Sequence, residues 1–238
     1  MAKTFNLTAL SERLMTESRL KPLVGKIRRV QDLASLHTDL AIALESMDAL
    51  DVLVATPDTS DINRHVTEAA LLNSAIMLYA RATKTTSKQR RNFDLRTRFS
   101  PEELVVHEEL VDLRDEAIAH FGFGGSYQGL WHVEVVILQT TKGNARPGVV
   151  TRRQMRDKKL IARARKQIEL AHSLIRQISD QKINEMTDEL NKMDPDLFQR
   201  EISKHPLNLE VAIASKDAAD IVRSSADQGG YIRGVVRG

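Results

Sequence analysis

From about Arg156 to Met193 an apolar residue returns every three or four positions, through Ile161, Ala164, Ile168, Ala171, Ile175 and Ile178. That period fits one face of an α-helix and not a strand, whose side chains alternate every two residues. The same rhythm runs from about Ile27 to Ala55, through Ile27, Val30, Ala34, Leu40, Leu44 and Met47, and from about Asp61 to Lys84, through Ile62, Val66, Ala69, Asn73, Ile76 and Ala80. Asn73 on the third stripe needs a partner if it is buried. A short opening helix carries Leu7, Leu10 and Leu14, with Pro22 and Gly25 expected to end it, and Pro57 in "TPDTSD" separates the second periodic segment from the third. Long helices with one apolar side each must pack against one another, so the chain is expected to be all-α, a bundle of four or five helices.

A further helix has the clearest local start in the chain. Ser100 suits the N-cap, Pro101 the first turn, and Glu103 completes a capping box, while Gly122, Gly124 and Gly125 are expected to stop it. At about 100° per residue, Glu108, Glu109, Asp112, Asp115 and Glu116 share an acid arc, which keeps the helix soluble. Opposite them lie Val106, Leu110, Val111, Leu113, Ala117, Ile118 and Phe121; His107 and Arg114 fall within this apolar arc and His120 at its edge. A cation on the core side needs a partner or a purpose. Arg114 is expected either to bond a neighbouring helix or to serve a site, and His120 either to favour the helix terminus or to work beside Arg114.

After the glycines the pattern changes. "LWHVEVVILQ" and "PGVVTRRQM", joined by the turn-rich "TTKGNAR", predict a β-hairpin between about 130 and 155, inserted after the Arg/His helix. Trp131 is read as a packing anchor, with base stacking the alternative. "GFGGSYQG" lacks the lysine of a triphosphate-binding loop and is read as a helix stop. Residues 1–193 are taken as the helical domain and 194–238 as a C-terminal extension, with short helices near 195–203 and 211–224 and a flexible end.

Composition narrows the function classes. An apolar share of 42% in 238 residues can fill a core, and with no cysteine the chain is neither a disulfide scaffold, a thiolate zinc protein nor a thiol enzyme. The longest apolar run, "AALLNSAIMLYA", is too short to span a bilayer, and the start lacks the pattern of a signal peptide. A soluble, cytoplasmic protein is expected. The seven histidines have no short ligand spacing, so neither metal nor cofactor is expected. Net charge is only +3, but Arg81–Arg98 holds seven Lys/Arg against Asp94, and Arg152–Lys166 eight against Asp157. Such clusters either track the phosphates of a polyanion or are solvated surface. Lys88, Arg90, Arg91, Arg152 and Arg153 are the candidate nucleic-acid contacts.

"LRDEAIAHF" resembles the signature of the HEPN superfamily of helical bundles: an arginine followed by a polar residue, then a histidine after four to six intervening residues. Arg114, Asp115 and His120 match it with five intervening. "LNSAIMLYARATK", the basic loop, and "HEELVDLRDEAIAH" resemble its bacterial, abortive-infection-related branch. The resemblance covers roughly residues 30–180. It implies a HEPN-like fold and a metal-independent endoribonuclease of a defence or toxin–antitoxin type, with Arg114, His120 and Asp115 catalytic. It further implies a homodimer whose Arg/His helices meet in one cleft, RNA as substrate, and an antitoxin or nucleotidyltransferase as partner. The alternative is a non-catalytic module of the same fold that binds a nucleotide, nucleic acid or protein through that groove. By position, His107 is read either as flanking and supporting that cleft or as a satisfied core residue, and Arg81 either as facing the cleft or as neutralising its helix terminus.

If the five basic residues track phosphates, their replacement by glutamine flattens the salt dependence of nucleic-acid binding, each lost contact lowering the log–log slope by about one. Filter binding between low and moderate salt measures this; affinity indifferent to salt returns both segments to solvated surface.

Overall fold

The periodic segments become eight α-helices among the described residues, which are 3–15, 21–56, 62–84, 90–91, 93–118, 131–139, 143, 145–153 and 158–224 of the computed structural model. In chain order they are α1 (Leu7–Leu14), α2 (Lys21–Ala55), α3 (Ile62–Thr83), α4 (Pro101–Asp112), α5 (Lys158–Asn191), α6 (Pro195–Ile202), α7 (Leu209–Ile213) and α8 (Lys216–Ser224). A 3₁₀ turn at Arg96–Arg98 precedes α4, a π-helical turn at Leu113–Ile118 continues it, and strands β1 (Trp131–Gln139) and β2 (Ala145–Arg153) lie between that turn and α5. The all-α class with one inserted hairpin agrees with the expectation; the helix count is larger because four of the eight are short. No helix among the described residues is long and apolar enough to cross a membrane.

α5 buries all six positions of its predicted stripe. α2 buries Leu33, Leu36, Leu40, Ala43, Met47 and Leu50, in alternating steps of three and four. Val30, Ala34 and Leu44, expected on that face, are half-buried. α3 encloses Leu72, Ala75, Ile76 and Tyr79, whereas Val66 is exposed. Pro22 opens α2 rather than ending α1: in a first turn its missing N–H costs nothing, because that group has no helical acceptor to serve.

By contact the chain forms two units, each fed by part of α2 and part of α5. One comprises the described residues of Met1–Thr38, Thr86–Arg91 and Leu174–Gly238. Its core gathers Leu10 and Leu14 of α1, Leu23, Val24 and Ile27 of α2, and Ile202 of α6, with Phe198 and Leu190 against them. Backbone bonds from Asn6 N–H to the His205 carbonyl (2.8 Å) and from Leu207 N–H to the Thr4 carbonyl (2.9 Å) fasten the start of the chain here. α6 therefore packs with the beginning of the chain rather than standing apart after residue 193. The helix expected over 211–224 is two helices, α7 and α8, separated at Ala214, which adopts a left-handed φ of 52°. The glycine-rich tail beyond Ser224 lies outside the described residues.

The other unit comprises the described residues of Asp39–Thr85 and Asn92–Ser173. Here the Arg64 side chain donates to the Thr56 carbonyl (2.9 Å) and to the Leu53 carbonyl, which also accepts from Thr56 N–H (3.2 Å), so the end of α2 is held by donors from outside the helix. Ser100 forms the expected capping box, accepting from Glu103 N–H (3.3 Å) while its own N–H donates to the Glu103 carboxylate (2.8 Å). β1 and β2 pair antiparallel from Trp131 opposite Arg153 to Gln139 opposite Ala145, and Gly143 between them takes the positive φ of 80° that the turn requires.

Two substitutions at chain reversals have opposite expected signs. Ser100→Ala removes the cap and costs about 1 kcal/mol. Ala214→Gly removes a Cβ conflict of about 1–2 kcal/mol, which exceeds the extra unfolded-state freedom of glycine, about 0.5–1 kcal/mol. Urea unfolding at constant pH measures both; a loss of stability for the glycine variant contradicts the strain assigned to Ala214.

Candidate active site

Three helices meet through one buried polar contact. Tyr79 near the end of α3 is fully enclosed, and its hydroxyl lies 2.8 Å from Nδ1 of His107, on α4. Gln167 of α5 donates to the same hydroxyl at 3.2 Å. With the phenol oxygen accepting from Gln167, its proton is available to His107 Nδ1, the arrangement of a neutral imidazole protonated at Nε2. Phe99 and Tyr79 flank the imidazole with ring centroids at 5.4 Å and 5.8 Å. Burial pushes His107 below its ordinary value of 6.5, the Arg96 charge acting in the same direction, and burial raises Tyr79 well above the usual phenol range. Both are neutral at pH 7. Of the two readings of His107, this geometry fits the satisfied core residue: it is 5% exposed and hydrogen-bonded inside the core.

One turn further along α3 the character changes from buried and neutral to charged and half-open. Lys84 Nζ donates to one oxygen of Asp115 (2.5 Å), and Arg114 Nη1 donates to the other (2.5 Å). Arg114 and Asp115 lie on the π-helical turn, with about a third of each side chain exposed. The Lys84 ammonium, helped by Arg114, holds the Asp115 carboxyl below its ordinary value although partial burial pulls the other way. Nε of Arg114 is enclosed and has no hydrogen-bond partner among the described residues. Arg81 grips Asp39 through two bonds, Nε to Oδ2 (2.9 Å) and Nη2 to Oδ1 (2.5 Å); the carboxylate is buried and the guanidinium half-exposed.

Comparison of the chain with models of protein families, with curated proteins and with solved structures gives no match. The site is therefore read from its own geometry.

Of the residues expected to act together, Arg114 and Asp115 are in contact. Arg81 is engaged with Asp39, and His107 belongs to the core. His120 and Lys88 lie outside the described residues. Arg90 and Arg91 belong to the unit containing α1: Arg90 Nη1 reaches Ser35 (3.2 Å) and the Arg91 N–H reaches Asp32 (3.3 Å). Arg152 and Arg153 stand on β2 opposite His132 and Trp131. Lys84, Asp39 and Gln167 were not among the expected site residues. Lys84 follows Arg81 by three positions and so shares its side of α3, the one sequence signal that points to it.

The acid arc of α4 has a second role besides solvation. Glu108 accepts from Arg96 (3.0 Å) and Glu109 from Arg163 through two bonds (2.9 and 2.6 Å), while Arg165 pairs with Asp48 (2.8 Å) and Asp51 (2.9 Å). Part of each basic cluster is thus neutralised by the protein itself. Among the described residues no group of three or more His, Asp or Glu could hold a metal ion.

Tyr79→Phe leaves His107 Nδ1 and Gln167 Nε2 without a partner in a closed site, at an expected cost of about 1–3 kcal/mol. Because His107 is depressed in the fold, the unfolded chain binds a proton first as pH falls below about 6.5. Its contribution is therefore constant above that pH and is lost progressively below it. Urea titrations between pH 7.5 and 5 show this loss in the parent chain and a flatter profile in His107→Asn; equal slopes in the two contradict the neutral, buried imidazole.

Proposed function

We propose that the chain is a metal-independent endoribonuclease of HEPN-like architecture and of a defence or toxin–antitoxin type, acting as a homodimer. The observation that supports this most is the state of Arg114. Its guanidinium is set on a π-helical turn, a distortion that recurs at functional sites. One donor is tied to Asp115, and Nε is enclosed with no partner among the described residues. About a third of the side chain is exposed, and a guanidinium fork in that setting suits a phosphoryl oxygen.

RNA carries its own nucleophile. In this reading His120 takes the proton of the 2′-hydroxyl as that oxygen attacks phosphorus. Arg114 stabilises the charge on the phosphorane oxygens, and the bond to the 5′ oxygen breaks as that oxygen gains a proton, leaving a 2′,3′-cyclic phosphate. A second protomer's histidine supplies the opposing proton transfer. Asp115 is a positioning residue: held by Lys84, it fixes the arginine fork. With His107 neutral and enclosed, His120 is left as the proton carrier of this segment.

The test is cleavage of a fluorescent RNA in the presence of a chelator. Arg114→Ala and His120→Ala are each expected to lower the rate by about 10²-fold or more while circular dichroism stays unchanged. Asp115→Asn is expected to lower kcat with RNA affinity retained. A wild-type chain that binds RNA or a nucleotide and cuts nothing transfers the site to the binding-module reading.

A further inference from the structure

α2 carries a glycine that its packing does not demand. Gly25 stands within the helix, where alanine would be the better helix former. A Cβ at this position would meet no atom within 4 Å among the described residues, so no close neighbour requires the missing side chain. What the glycine leaves is room. That room belongs to a cavity of about 300 Å³ between the start of α2 and the later part of α5, both within the unit that contains α1. Pro22, Gly25, Lys26 and Arg29 recur at steps of three and four and so line it from one face of α2, while Lys182 and Glu185 line it from α5. Lys26 ties the two walls together, donating to the Glu185 carbonyl (3.1 Å) and to the Glu189 carboxylate (3.0 Å). Lys182 bonds both oxygens of Glu185 (2.7 and 2.8 Å) and holds that carboxyl below its ordinary value. Both lysines are about two-thirds buried.

We propose that this cavity binds a small phosphate monoester, its terminal oxygens met by Lys26 and Arg29 from α2 and by Lys182 from α5, with its organic group over Gly25 and Pro22. Charge selects an anion: three cations line the cavity against one carboxylate, and Glu189, which pairs with Lys26, is not part of the lining. Geometry selects phosphate. An ammonium has three donors, so each lysine keeps one beyond the two bonds it makes to α5. Cations on two walls suit the tetrahedrally arranged oxygens of a phosphate better than the two coplanar oxygens of a carboxylate, and the arginine fork adds a planar pair of donors. A monoester offers three such oxygens and a diester only two. Volume selects an ester over the bare ion, since about 300 Å³ is the lower end of the range for small-molecule sites and leaves space beyond a phosphate group. The site stands apart from Arg114 and does not rest on the RNA-cleavage reading.

The experiment is calorimetric titration of the full chain with phenyl phosphate, and with dimethyl phosphate as the diester. Saturable binding of phenyl phosphate is expected, about tenfold or more tighter than that of the diester, the difference made by one charge-assisted hydrogen bond. Arg29→Gln and Lys182→Gln are each expected to weaken it by about tenfold. Gly25→Leu places a side chain in the cavity and is expected to abolish binding without lowering the thermal midpoint, because leucine is the better helix former and its Cβ has room. Arg114→Ala is expected to bind phenyl phosphate as the parent chain does, whether or not the chain cuts RNA. No saturable binding of phenyl phosphate, equal affinity for the diester, or binding unchanged by Gly25→Leu each overturns the proposal. Should a variant lose its fold by circular dichroism, the remaining variants and the diester comparison decide.

Discussion

The contact between the Tyr79 hydroxyl and His107 Nδ1 sets the geometry of the unit built on α3, α4 and α5. It is the place where one side chain from each helix meets, and no water-exposed alternative is open to any of the three polar groups. A polar contact so enclosed is costly to break, because each group would keep its desolvation penalty and lose its compensation. It therefore fixes how far along α3 the start of α4 sits. Lys84 lies five residues beyond Tyr79, and Asp115 eight beyond His107, so the neutral core contact and the charged contact are rungs of one ladder. Mispositioning the first would separate the second.

Charge is arranged with the same economy. A helix bearing five carboxylates on one arc and a chain with two strongly basic clusters would ordinarily be read as separate solvated surfaces. Here Glu108, Glu109 and Asp115 each take a cation from a different part of the chain: Arg96 from the 3₁₀ turn, Arg163 from α5 and Lys84 from the residue that follows α3. Individually such half-exposed pairs contribute little to stability. Collectively they orient α4 relative to its neighbours and leave the exposed ends of the basic clusters, rather than their totals, as the charge that a polyanion would meet.

Much of the helical content was legible because it depends on local periodicity. α5 follows its spacing at every position, and Ser100–Glu103 announces the start of α4 through contacts confined to four residues. The misreadings come from what periodicity does not encode. α2 has two apolar stripes side by side, and only packing decides that Leu33, Leu36 and Ala43 are enclosed while Ala34 and Leu44 are half-open. The buried face of α3 begins beyond Val66. Pro22 obeys its conformational rule equally well as a stop or a start. Ala214 breaks α7 from α8 in a conformation its own side chain disfavours, so no residue there advertises the break. Within the site, Arg114 and Asp115 were legible as a pair, whereas Lys84 and Asp39 become visible only when helices distant in sequence are brought side by side. The placement of Arg114 on a π-helical turn had no signal in the sequence.

That turn also changes how insertions and deletions act on this helix. Accommodating one extra residue in a turn sets everything downstream back by the angle of one α-helical residue, about 100°. A helix that can either hold or expel such a residue has two phases available to whatever follows it. Losing one residue between Asp115 and Ile118 could thus be absorbed by a return to α winding, with α4 and its contacts to Tyr79 undisturbed. The spacing between an arginine on the turn and any group beyond it is then a soft quantity in sequence, while the direction in which the arginine itself is held stays fixed by Lys84 and Asp115.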